Sequence, residues 1–66
     1  QAAEALEYAE RAAKLSDSAP VQLHRAMALK ALGRDDQARE ALRRAAEMNP
    51  DPPTKASIEQ LSATLK

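Results

Sequence analysis

The residues able to do chemistry are few and badly placed for it. His24 is the single histidine and cysteine is absent. A zinc site takes several such ligands, and the carboxylates alone show no recognisable metal-ligand spacing. Ser16, Ser18, Ser57 and Ser62 would need an adjacent base to act as nucleophiles, and none has a histidine close by in sequence. Asp35 and Asp36 form an acidic pair, but adjacent residues on a helix do not face each other, so helix capping suits them better than acid–base work. The lone glycine, Gly33, cannot build a phosphate-cradling loop. Arg34, Arg39, Arg43 and Arg44 make a basic cluster with acids interleaved, and Tyr8 is the only aromatic, so a stacking platform for single-stranded nucleic acid is missing. The reading is a non-enzyme with no catalytic residue, no metal ligand and no cofactor.

What must position these residues is helical. The chain has 66 residues, 10 basic and 10 acidic, for a formal net charge of zero. That length makes one small domain or a piece of a larger one. The charge balance argues against nucleic acid or a polybasic membrane patch. No apolar run approaches the roughly 18 residues of a membrane span, so no membrane insertion is expected. Without cysteine the compartment stays open, and cytoplasm and periplasm both fit. Of the 44% apolar residues 16 are Ala, which leaves eight Leu, two Met, one Val, one Ile and one Tyr. A core this thin is marginal. Ala is also the strongest helix former, so the composition predicts an all-α chain packed through small side chains.

Punctuation divides it into four helices. The first runs from Gln1 to about Leu15 with an apolar period at Ala5, Tyr8, Ala9, Ala12 and Leu15. It lacks a start signal, and Gln1 reads as a fragment edge. Ser18 is a capping residue with Pro20 in the first turn of a second helix, Ala19 to Leu32, that stops at Gly33. Asp35 or Asp36 is expected to cap a third helix that ends at Met48, before Asn49-Pro50. The last helix runs from Pro53 or Thr54 to Leu65, with Ile58, Leu61 and Leu65 on one stripe. Short connections imply antiparallel hairpins. Glu7–Arg11, Glu10–Lys14 and Glu40–Arg44 are spaced as surface pairs, worth roughly 0.2–0.5 kcal/mol each.

The first and third helices repeat each other. Ala5 to Leu15 aligns without gaps on Ala38 to Met48 at an offset of 33 residues, with five of eleven positions identical. Three identities are alanines; Glu7/Glu40 and Arg11/Arg44 are the weightier ones, joined by the Leu15/Met48 match. A period near 34 residues, with Ala26 small and Leu29 large in one helix, Ala31-Leu32-Gly33-Arg34 at the turn, Ala38, Leu42 and Ala45 in the next and Pro50 closing, resembles the tetratricopeptide repeat family. An ankyrin repeat has a similar period, but its Thr-Pro-Leu-His signature is absent; an Ala-rich helical bundle is the other alternative.

The resemblance implies stacked antiparallel helical hairpins, a fragment of an α-solenoid. Residues 1–18 would be the second helix of a preceding, incomplete repeat, 19–50 a complete repeat, and 51–66 a capping helix at which the array ends near Lys66. Ile58, Leu61, Ser62 and Leu65 would take the roles of Gln22, Arg25, Ala26 and Leu29 at a displacement of 36 residues. Gln22 and Arg25 depart from the family's large apolar residues, which predicts a loose seam against the first helix. Arg39 departs likewise where Leu6 conforms. The packing set would be Ala26, Leu29, Gly33, Ala38, Leu42, Ala45 and Pro50.

The resemblance also implies a concave groove that holds a protein or peptide partner, at Leu23, His24, Met27, Lys30 and Ala31. Leu23, Met27 and Ala31 recur every four residues and share a stripe, which could equally be core. Leu23 and Met27 stand where the family's clamp for chaperone tails has Lys and Asn, so that subtype is not expected. The expected function is a non-catalytic interaction scaffold. The alternative is a capping or self-association segment, a homo-oligomer or a neighbour of further repeats, because fewer than three repeats seldom stand alone.

Overall fold

The computed structural model describes residues 1–65, and the part of the capping-helix expectation that touches Lys66 lies outside them. Four helices follow in order: α1 (Ala2–Leu15), α2 (Ala19–Ala31), α3 (Asp35–Glu47) and α4 (Pro52–Ala63), with no strand among the described residues. The molecule measures 28 × 27 × 16 Å. With packed helix axes about 8–10 Å apart, the short dimension holds two layers. α2 is the central element: it packs on α1, α3 and α4, while α1 meets only α2 and α3 also meets α4.

Local chemistry explains each boundary. Ser18 Oγ accepts from the Val21 N–H at 3.3 Å, and Pro20 sits in the first turn, where its missing N–H costs nothing. Gly33 adopts φ 77° after α2. There its N–H bonds the Lys30 carbonyl, and the Arg34 N–H bonds that of Leu29, both at 2.9 Å. That pair of bonds is the Schellman termination, which a residue with a Cβ disfavours. The tight turn leaves no room for an Asp cap on α3. Its N-cap is Arg34, without a side-chain cap bond, and Asp35 and Asp36 lie inside the first turn, where they complement the helix dipole. Asn49, at φ 53°, takes the left-handed conformation that ends α3 before Pro50. Gln1 is the N-cap of α1, with Glu4 in its first turn.

The core is a seam of alanines with leucines at its edges. Ala26 on α2 and Ala38, Ala41 and Ala45 on α3 are fully buried, beside Leu29 and Leu42. Small residues let the α2 and α3 backbones approach closely, and the leucines fill what remains. Ile58 and Leu65 close the core from the α4 side.

α1 turns inward a face that shares Ala9 with the expected stripe but runs through Leu6 in place of Tyr8 and Leu15. Leu6 and Ala9 are buried, whereas Tyr8 is 76% and Leu15 89% exposed. Two apolar stripes share this helix, and only the one through Leu6 and Ala9 is covered by α2. The positions on α3 that match Ala5, Tyr8 and Ala12 are Ala38, Ala41 and Ala45, all buried. Of the three surface pairs, only Glu7–Arg11 forms as spaced, at 2.8 Å. Glu10 instead faces Arg25 at 3.8 Å, Glu40 pairs with Arg43, and Arg44 reaches Asp17 at 3.1 Å.

Candidate functional site

α4 is fastened by side chains of the two helices beneath it. It has no basic residue in its last turn. Arg39 of α3 donates through Nη1 to the Leu65 carbonyl at 2.5 Å. Lys30 of α2 donates through Nζ to Thr64 Oγ1 at 2.7 Å, and that hydroxyl in turn donates to the Leu61 carbonyl at 2.7 Å. Both cations sit at a helix C-terminus, where carbonyls without intrahelical partners favour them. The polar Arg39, out of pattern in the sequence, thus has a structural use that Leu would not supply.

Fastening α4 beside α2 creates a trough of about 500 Å³ between them. Leu23, His24 and Met27 of α2 form one wall, and Ser57, Gln60 and Leu61 of α4 with its C-cap Thr64 form the other. On the other flank of α2 a second trough of about 380 Å³ opens toward α1, bounded by Gln1, Ala2, Ala5, Ala28 and Ala31. His24 and Met27 border both, so they form the ridge between the two troughs. The five residues drawn from the α2 stripe are therefore distributed, not equivalent. Leu23 is buried and serves as wall and core together. Met27 is 51% exposed, and His24 and Ala31 are exposed. Lys30 is half-buried at the rim, held by Thr64.

The α4 wall and the α1 wall were absent from the sequence-based set. A signal for the first existed: the 36-residue displacement places Gln60 where His24 stands in α2. Nothing comparable marks Ala2 and Ala5 among so many alanines.

A charged hollow lies where α1, α2 and α3 converge, and it differs in kind. Gln22 is only 3% exposed, yet its Nε2 donates to Asp17 Oδ1 at 2.8 Å and its Oε1 accepts from Arg25 Nη1 at 3.4 Å. Asp17 Oδ2 holds Arg44. The departures at Gln22 and Arg25 thus build a satisfied polar network in place of a loose apolar seam. No buried side-chain nitrogen or oxygen among the described residues lacks a partner. In this hollow Arg11, Arg25 and Arg44 each face a carboxylate, so they are committed to structure.

The Gln22 hydrogen bond, with further help from Arg44, holds the Asp17 carboxyl below its ordinary value of 3.8 against the opposing effect of burial. Glu40 is lowered as well, chiefly by its bond from Arg43. A depressed carboxyl stabilises the fold above its unfolded value and loses that contribution as pH falls through the folded one. Urea midpoints should therefore hold steady near neutrality and fall on acidification below about pH 4. Asp17→Asn should lower the neutral-pH midpoint and flatten that acid limb. An unaltered acid limb in the variant would show that Asp17 carries none of it.

No group of three or more His, Asp or Glu that could hold a metal occurs among the described residues. No helix among them is long and apolar enough to cross a membrane. No curated protein and no solved structure matches the chain. A family model described as tetratricopeptide repeat matches residues 19–61, more than half the chain, through α2, α3 and most of α4. With two helices meeting through alanines, a glycine-closed turn between them and a third helix laid across the pair, this chain belongs to the tetratricopeptide repeat family.

Proposed function

We propose that the chain is a non-catalytic interaction module that binds a protein or peptide segment on the face shared by α2 and α4. One observation carries this reading. Met27, half exposed, stands as a ridge between two troughs, although the same helix buries Leu23, Ala26 and Leu29. Methionine is an adaptable side chain that recurs at protein-binding surfaces. The test is Met27→Glu, measured by calorimetry against a partner segment selected on the unaltered chain. Since Met27 is largely outside the core, circular dichroism should be unchanged, while affinity should fall by about tenfold or more, as for an interface anchor. Undiminished affinity in the folded variant would remove the face from consideration. Leu23 is unsuitable for this test, because a charge there would be buried.

A second reading rests on a separate observation, the exposed Tyr8 and Leu15. Their counterparts are Ala41 on α3, which is buried, and its C-cap Met48, half-buried against the core. In this reading the outer stripe of α1 is covered in an assembly, by a neighbouring repeat or a second copy. Sedimentation should then show concentration-dependent association that Leu15→Ser weakens. A monomer at every concentration would contradict self-association.

A further inference from the structure

We infer that the outer stripe of α1 is covered by the same stripe of a second copy, the two helices running antiparallel with each large side chain laid on an alanine. This rests on the reading of that stripe as an assembly face, and names its occupant and orientation. Ala5, Tyr8, Ala12 and Leu15 follow at spacings of three, four and three residues, so they share one side of α1. Tyr8 is 76% and Leu15 89% exposed, and Ala5 is exposed beside them. The matching set on α3, Ala38, Ala41 and Ala45, is fully buried. The chain thus already uses this spacing to pack helices, while α1, which meets only α2, leaves its own stripe open.

The order of residues along the stripe selects a second copy. Alanine alternates with a large residue, so the stripe turned end for end is complementary to itself. Tyr8 then faces Ala12 of the second copy and Leu15 faces its Ala5, and a two-fold axis supplies the reverse pairs. In a parallel pair Tyr8 would meet Tyr8 and Ala12 would meet Ala12, a clash at one level and a void at the next. Charge favours the same direction. Glu4 and Glu7 lie in the first half of α1 and Arg11 and Lys14 in the second, while Glu10 is turned to Arg25 at 3.8 Å. Antiparallel packing brings the acidic half of one helix to the basic half of the other, and parallel packing sets like against like. These are rim charges, so they set direction more than strength. A pair of 14-residue helices is a small contact. It falls short of the roughly 1,200 Å² of a stable interface, so the dimer forms at about hundreds of micromolar and suits a covalent trap.

The chain has no cysteine, so introduced thiols report alone. Ala5→Cys chains and isotopically heavy Leu15→Cys chains are mixed in equal amounts in a glutathione redox buffer, where disulfides exchange, and the cross-linked pairs are weighed by mass spectrometry. Sedimentation of the unaltered chain runs in parallel. With Ala5 facing Leu15 of the second copy, the two Ala5 positions lie about 15 Å apart along the pair, beyond the roughly 7 Å a disulfide spans. Mixed disulfides should therefore make up about nine-tenths of the cross-linked pairs, against about half for random collision. Adding Tyr8→Lys to both chains should lower their yield about fivefold or more, with circular dichroism unchanged because Tyr8 is exposed. A majority of like disulfides overturns the antiparallel pairing and leaves the stripe as an assembly face. Mixed disulfides at the random share, or undiminished by Tyr8→Lys, overturn pairing through this stripe. Association in sedimentation without mixed disulfides overturns the inference and moves self-association to another surface. A monomer at every concentration, with no cross-link, overturns the inference and self-association together.

Discussion

Leu29→Ala should leave the chain largely unfolded in water at room temperature. Leu29 is 1% exposed and, among the described residues, is the one large side chain fully enclosed. Removing a buried leucine costs about 2–5 kcal/mol, which includes the cavity left behind. A single core in a chain this short rarely supplies more than roughly 3–5 kcal/mol in total. The mutation therefore removes most of what there is. The same change at Leu15, 89% exposed, should move stability by no more than about 0.5 kcal/mol. Urea titrations followed by circular dichroism compare the two. Equal midpoints for Leu29→Ala and the unaltered chain would show that the core is not where this structure puts it.

Ala41→Leu should cost about 1–3 kcal/mol, through the opposite mechanism. Ala41 is 0% exposed on the face of α3 that meets α2. Leucine is almost as good a helix former as alanine, so intrinsic propensity cannot account for a loss. What changes is the separation of the helices, since three additional carbons must enter a contact built for methyl groups. Ala46→Leu makes the same chemical change on the exposed side of the same helix and should be nearly neutral. If both variants melt alike, the alanine seam is not a close contact. If Ala41→Leu alone loses stability, the small residues are there for approach and not only for helix formation.

How much of this was legible in the sequence differs from element to element. The helix boundaries were written in residues with special backbone needs: Ser18 before Pro20, Gly33 in the left-handed region, Asn49 before Pro50. Each acts locally, so each can be read locally. The inward face of α1 was legible only in part: Ala9 was on the expected stripe, but alanines flank it on both sides and Leu6, not Tyr8 or Leu15, accompanies it inward. Choosing between the Tyr8–Leu15 stripe and the Leu6–Ala9 stripe takes knowledge of which neighbour is present. The partners of Arg44 and Glu10 were hidden for a similar reason. Asp17 and Arg25 are distant in sequence and come together only after α1, α2 and α3 converge, and they outcompete the neighbours four residues away. The candidate face was half legible. Periodicity marked the α2 side and its ridge residue, Met27. The opposite wall is set by Arg39 and Lys30 holding the end of α4, long-range contacts that no local pattern encodes.

All of the functional reading stands on α2 and α3 forming one tightly packed hairpin that serves as the base for α1, α4 and the face between them. Native-state amide hydrogen exchange tests that base directly. Amides in the middles of α2 and α3 should share the highest protection and exchange together at the free energy of global unfolding, with α1 and the first turn of α4 opening at lower cost. Protection of α2 or α3 no greater than that of α1, or separate opening energies for α2 and α3, would contradict the account.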